Sequence, residues 1–123
     1  MENQSLMPEP SYDISLIRDI SRGNEAFIRK MLGIFVEQTP LHLAEMREFF
    51  ANSDWKRMGE LAHKIKPTID NLGIKAIKAT IREIENIGRI GEGTGRMGEL
   101  LEEVEEAMNQ AVKAIRTDYQ LNG

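Results

Sequence analysis

Cysteine is absent from this chain of 123 residues, and histidine occurs only twice. The missing thiols exclude disulfides, zinc–thiolate sites, iron–sulfur clusters and cysteine-based catalysis. An excess of positive charge is missing too, since 16 Lys and Arg stand against 20 Asp and Glu and give a formal net charge of −4. A nucleic-acid partner held through bulk positive charge is therefore not expected.

Long apolar runs are also missing. No run approaches the roughly 20 residues that span a bilayer, and residues 1–12 are polar with two prolines, unlike a secretory signal. We therefore expect a cytoplasmic protein with no membrane partner. A content of 41% hydrophobic and 29% charged residues favours one folded domain. We predict a flexible N-terminal segment over 1–11 and a helical domain over 12–120.

Between the glycines, prolines and polar turns, apolar residues recur with a helical period. Pro40 should kink or break the second helix, and the stretch 88–95 is predicted to be a glycine-rich loop. The predicted fold is all-α, an antiparallel up-and-down four-helix bundle with a short extra N-terminal helix. The short first helix carries Ile14, Leu16, Ile17 and Ile20. The second is capped by Asn24, has one apolar stripe of Phe27, Ile28, Met31, Leu32, Ile34 and Phe35, and resumes after Pro40 to Phe50. The third runs from Trp55, after the cap Asp54, to about Leu72; the fourth carries Ile74, Ile77, Ile81, Ile84 and Ile87; and the fifth covers 97–115.

Two short motifs match known sites only in part. Residues 93–98 satisfy G-x-G-x-x-G, but a helix instead of a strand precedes them, so we interpret them as a loop. Glu60 and His63 form one Glu-x-x-His pair, whereas a dinuclear metal site in a bundle needs two such pairs. His42 has no Glu three residues before it and is interpreted as a surface or boundary residue. We expect no metal site and no nucleotide site.

His63 is predicted to lie on the solvent face of its helix. At 100° per residue it falls about 160° from Ile65, which is at the centre of the apolar stripe. Lys66 lies one turn further on, where its ammonium group can reach an anion attached to His63. With little bulk expected from Gly59 on the same face, the imidazole is suited to carry a phosphoryl group. An ordinary surface histidine is the alternative.

The segment 62–73, AHKIKPTIDNLG, resembles the motif of the histidine-containing phosphotransfer (HPt) family, approximately H-x-[LI]-K-G-[SA]-[SA]-x-x-[LIV]-G after Ala. The similarity extends from about Asp13 to Tyr119. It implies the helical bundle and a role in phosphorelay, in which a histidine takes a phosphoryl group from one receiver-domain aspartate and passes it to another. It implies a stoichiometric carrier that is not an enzyme and has no cofactor of its own, with Mg²⁺ on the partner receiver.

The resemblance also implies roles for individual residues. His63 is the expected phosphoacceptor, and Lys66 is expected to stabilise the phosphoryl oxygens. The family often has Glu or Gln 22 residues after the histidine, which is Glu85 here. Its carboxylate is a candidate to accept the Nδ1 proton of His63 and leave Nε2 as the nucleophile. The alternative is a flank residue paired with Arg82 or Arg89.

Pro67 departs from the family motif, where glycine is usual. Proline adds a ring and cannot donate a hydrogen bond to the carbonyl of His63, which predicts a bend and puts access to His63 in question. A second hypothesis therefore stays open, an HPt-like module that docks receiver domains without being phosphorylated. The expected partners under both hypotheses are receiver domains of response regulators or hybrid histidine kinases, bound by a monomer.

Overall fold

The computed structural model describes residues 10–121, and within them the chain is all-helical, as predicted. Residues 1–9, most of the segment predicted to be flexible, lie outside the described residues. The domain boundaries predicted at 12 and 120 stay predictions. The elements are α1 (Ser15–Ile20), α2 (Glu25–Ala51), α3 (Trp55–Asn71), a 3-10 turn (Lys75–Ile77), α4 (Lys78–Ile90) and α5 (Met97–Tyr119).

Polar side chains start the two helices where the sequence predicts caps. Asn24 Oδ1 accepts a hydrogen bond from the backbone N–H of Phe27 at 3.0 Å. Asp54 Oδ1 accepts one from the backbone N–H of Arg57 at 3.2 Å. Each cap satisfies an amide that has no partner within the first turn of its helix. With α3 beginning at Trp55 and ending at Asn71, residue 63 lies at its middle.

Prolines lie inside two helices without breaking them. Pro40 is within α2 and Pro67 within α3, and each helix is continuous across its proline. The break that the sequence allowed at Pro40 does not occur. Both rings are exposed, so neither ring has to fit into the core, although each proline leaves one backbone carbonyl without its helical donor. Buried residues near each proline, Leu43 in α2 and Ile69 in α3, pack their helices against the core.

The loop predicted to start at Gly88 is shorter than expected. Helix α4 continues to Ile90 and is ended by Gly91, whose φ of 86° lies in the left-handed region. Gly88 itself is buried within the helix. The composition of 88–95 suggested a loop, but packing of Gly88 against α3 keeps this turn helical.

The apolar stripe of α2 is narrower than predicted. Ile28, Leu32 and Phe35 are buried, whereas Phe27 and Ile34 are 40% and 46% exposed. Positions 27 and 34 are seven residues apart and share one flank of the helix. A core-facing stripe covers only part of the helix circumference, so this flank lies outside it.

The contacts between α3 and α4, and those between α2 and α5, pair early residues of one helix with late residues of the other. The contacts align residue 63 of α3 with residue 85 of α4. They are Gly59–Gly88, His63–Glu85 and Asp70–Arg82 between α3 and α4; Arg29–Tyr119 and Arg47–Glu105 between α2 and α5; and Thr80–Glu103 between α4 and α5.

Candidate functional site

His63 projects into solvent from the middle of α3. Its side chain is 70% exposed, while its neighbours Ala62 and Ile65 are buried in the core. The orientation agrees with the prediction from the helical wheel. The imidazole is therefore available to another molecule while the helix beneath it is anchored by packing.

Glu85 of α4 binds one of the two ring nitrogens of His63. Its Oε2 lies 2.5 Å from His63 Nδ1, and its side chain is only 9% exposed. Among the described residues, Nε2 of His63 has no hydrogen-bond partner. The two helices thus hold the ring from its Nδ1 side and leave the Nε2 side open.

Three basic side chains converge on the Glu85 carboxylate. Lys66 Nζ donates to Oε1 at 2.8 Å, and Arg89 Nη2 donates to Oε2 at 3.3 Å, the oxygen that His63 also contacts. The hydrogen bond from Lys66, followed by that from His63, lowers the pKa of Glu85 to about 2. Glu85 is therefore ionised at neutral pH and can only accept hydrogen bonds. Nδ1 of His63 must carry the proton in this contact, and Nε2 of the neutral ring keeps its lone pair.

The alternative pairings of Glu85 are resolved by the same contacts. Arg89 does approach the carboxylate, but together with His63 and Lys66 and not in their place. Arg82 instead donates to Asp70 and to the carbonyl of Lys78. Glu85 is thus the residue that links the α3 and α4 sides of the site.

An open groove of about 490 Å³ lies beside the imidazole. Two basic side chains, Lys56 and Arg89, and two acidic ones, Glu60 and Glu85, border it together with the ring. The lining residues are Lys56, Gly59, Glu60, His63, Glu85, Gly88, Arg89 and Gly91.

The model of the Hpt domain family matches residues 30–118, well over half of the chain. This chain belongs to the Hpt domain family. Hpt domains are phosphocarriers that work in histidine phosphotransfer within phosphorelays and interact with receiver domains. No curated protein and no solved structure matches the chain. The family match begins within α2, so α1 lies outside it.

Gly59 of this Hpt domain does not lie on the solvent face, contrary to the sequence prediction. It is buried, and a Cβ atom placed on it would lie 2.7 Å from Gly88 Cα. The absent side chain lets α3 and α4 approach closely, and Gly59 also lines the groove beside His63. The sequence does not predict this contact, because the local composition around Gly88 favours a loop. Two glycines within helical patterns are a signal for a packing role.

Pro67 is exposed one turn after His63 and is not among the residues that line the groove of the Hpt domain. Its ring therefore does not fill this groove. In the backbone, the carbonyl of His63 loses an amide donor.

The remaining candidate motifs do not contribute to this site. His42 is half-buried beside a separate cavity of about 160 Å³, and burial and then nearby Lys64 lower its pKa. Residues 93–98 follow a helix, and Gly98 is already part of α5. The described part of the chain contains no group of three or more His, Asp or Glu residues placed to hold a metal ion. Within residues 10–121, none of the helices combines the length and apolar character needed to cross a bilayer.

Proposed function

We propose that His63 is the phosphoacceptor of this Hpt domain and carries a phosphoryl group between aspartates of receiver domains. The observation that carries the proposal is the contact of His63 Nδ1 with ionised Glu85, which leaves Nε2 free on an exposed ring. No other histidine has this combination, since His42 is half-buried and lies away from Glu85.

The chemistry follows from the tautomer. The Nε2 lone pair attacks the phosphorus of a receiver phospho-aspartate, the new N–P bond forms, and the P–O bond to the aspartate breaks with release of its carboxylate. The Nδ1 proton stays in place, and the positive charge that develops on the ring is compensated by Glu85 at 2.5 Å. Onward transfer reverses these steps towards a second receiver. The receiver contributes the aspartate and Mg²⁺.

Lys66 has two proposed tasks. Its bond to Glu85 Oε1 holds the carboxylate in position, and its remaining N–H groups can donate to phosphoryl oxygens on Nε2. The side chain keeps 27% of its surface exposed, so an incoming phosphoryl group has access to it.

We further propose the predicted antiparallel four-helix bundle of α2 to α5 as the scaffold. The opposite chain order of the contacts between α3 and α4, and between α2 and α5, supports this arrangement. We propose that helix α1 packs at the C-terminal end of α3, because the N–H of Asp13, two residues before α1, donates to the carbonyl of Leu72 at 2.7 Å. A carrier of this kind needs no catalytic site, nucleotide or cofactor of its own, and we propose that it acts as a monomer in the cytoplasm.

The test is transfer from labelled receivers. A panel of receiver domains from the source genome is phosphorylated with [³²P]acetyl phosphate and Mg²⁺ and mixed with the parent chain, His63→Gln or His42→Gln. We expect acid-labile, base-stable label on the parent and on His42→Gln only, because the exposed side chain of His63 contributes little packing and its replacement leaves the fold intact. Phosphorus NMR should identify the Nε2 phosphohistidine.

Label on His63→Gln, or loss of label in His42→Gln alone, would reject the assignment of His63. A parent chain that binds receivers but takes no label from any of them would support the docking module instead.

A further inference from the structure

Two glycines, Gly59 and Gly88, bring the backbones of α3 and α4 into close contact. A Cβ atom on Gly59 would lie 2.7 Å from Gly88 Cα, and one on Gly88 would lie 2.5 Å from Gly59 Cα and 2.7 Å from the carbonyl oxygen of Trp55. Real Cβ atoms essentially never approach backbone this closely. Any side chain at either position must therefore push the two helices apart.

Space, and not backbone conformation, requires glycine at these positions. Positive φ angles are found at Gly23, Gly73 and Gly91 among the described glycines, but not at Gly59 or Gly88. Glycine within a helix is less favourable than alanine because it loses more conformational freedom on folding. The chain has this unfavourable residue at both positions where α3 and α4 meet at this crossing point, which indicates that the close approach of the two helices is important.

The crossing point is adjacent to the phosphoacceptor. Gly59 precedes His63 by one turn, and Gly88 follows Glu85 by three residues, so both contacts lie on the same faces of the two helices. A Cβ atom on Gly59 would also lie 3.2 Å from the backbone oxygen of Glu85. A side chain there would press directly on the residue that holds His63.

We propose that the Gly59–Gly88 contact is a positioning device for His63: it sets the separation of α3 and α4 at which Glu85 holds Nδ1. This inference rests on the proposed function of His63. It adds Gly59 and Gly88, which would act on His63 through the separation of the two helices.

The effect of wider spacing should differ between the two partners of Glu85 on α3. Lys66 has a flexible four-carbon stem and can follow a carboxylate that moves by several tenths of an ångström. The imidazole of His63 is attached through a single methylene and has no such reach. Wider spacing should therefore weaken the bond from Nδ1 to Glu85 and spare the bond from Lys66 to Glu85. The proton of the neutral His63 ring would then no longer be held on Nδ1.

The experiment compares Gly59→Ala and Gly88→Ala with Gly33→Ala. Gly33 is a matched control because it lies within α2 and a Cβ on it would meet nothing within 4 Å. Nitrogen-15 NMR of the unphosphorylated chain measures the His63 tautomer, circular dichroism measures helicity, and labelled receivers measure the transfer rate. We expect the two interface variants to stay helical, to lose the Nδ1–H preference, and to transfer on the order of ten- to hundred-fold more slowly. Gly33→Ala should match the parent.

A double-variant cycle separates positioning from a general structural role. If the glycines act through Glu85, Gly59→Ala should slow transfer no further in a Glu85→Ala background. An additive loss in that background, a parent-like tautomer in both glycine variants, or loss of helicity in both would overturn the inference. The tautomer is measured without phosphorylation, so a parent that takes no label rejects the proposed function, while a shifted tautomer still supports the positioning role.

Discussion

At the scale of single residues, the carboxylate of Glu85 contacts three basic side chains of the site. It accepts hydrogen bonds from His63, Lys66 and Arg89 while its own side chain is almost fully buried. Burial alone would raise the pKa of a carboxyl group, but the bond from Lys66 and then that from His63 outweigh it. The residue therefore remains an anion and sets which nitrogen of His63 is protonated.

Replacing Glu85 tests this role. Glu85→Ala should slow transfer on the order of ten- to hundred-fold, because the ring loses both its orientation and the anion that compensates its charge. Rates from a labelled receiver provide the measurement. Glu83→Ala on the same helix is the control, since Glu83 binds Arg96 and not the site. Equal rates for Glu85→Ala and the parent would remove Glu85 from the mechanism.

Replacing Lys66 tests whether its ammonium group stabilises the phosphoryl group on His63. Lys66→Ala should slow transfer or shorten the lifetime of the phosphohistidine, because one positive charge leaves the phosphoryl site. The transfer rate and the half-life of isolated phosphoprotein are both measured. Lys64→Ala is the matched control, since Lys64 is exposed on the same turn without contacting Glu85. Parent-like values of both quantities would show that Lys66 has no part in the reaction.

At the scale of secondary-structure elements, α3 has to present His63 while it contains a proline four residues later. The helix stays continuous because the ring of Pro67 is exposed and because Ile65 and Ile69 are buried on the opposite side. The missing amide leaves the His63 carbonyl to water. The element therefore tolerates a residue that its local propensity disfavours.

Replacing Pro67 tests how far the proline affects the site. Pro67→Gly should restore the hydrogen bond to the His63 carbonyl and give a straighter helix, with transfer within an order of magnitude of the parent. Pro67→Ala should be more stable than Pro67→Gly by about 1 kcal/mol, the difference in their helix propensities. Urea unfolding measures the stability difference, labelled receivers measure the transfer rate, and a crystal structure of Pro67→Gly measures the bend. An inert parent that gains transfer through Pro67→Gly would instead support the docking module.

At the scale of the whole molecule, the site is coupled to the free energy of unfolding through Glu85. Its pKa is about 2 in the folded chain against 4.5 for an unperturbed glutamate. As the pH falls below about 4.5, the unfolded chain binds a proton at Glu85 that the folded chain does not bind until the pH nears 2. Acid therefore favours unfolding over this window, and the contribution of Glu85 is fully present above it.

Urea unfolding between pH 6 and pH 2 measures this coupling. Trp55, the single tryptophan, packs against Phe50 with ring centroids 6.0 Å apart and provides the fluorescence signal. We expect the free energy of unfolding of Glu85→Gln to fall less steeply than that of the parent as the pH drops from about 4.5 towards 2. Identical slopes would contradict the low pKa of Glu85 in the folded chain.

Local patterns in the sequence determined much of this structure. Helical periodicity and capping are properties of residues close together in the chain, so the all-α class, the caps at Asn24 and Asp54 and the exposed position of His63 followed from the sequence. The offset from His63 to Glu85 came from the resemblance to the family. Their contact is visible in the structure, while the roles of His63, Lys66 and Glu85 in transfer stay predictions.

The tertiary structure alone decided features that depend on residues far apart in the chain. Gly88 looked like the start of a loop because its local composition favours one, and it is helical because it packs against Gly59 of another helix. Phe27 and Ile34 fit an apolar stripe but remain exposed, because the neighbouring helices cover only one side of α2. Periodicity shows which residues share a face of one helix, whereas the separation between two helices depends on the side chains of both, and that separation brings Glu85 to His63.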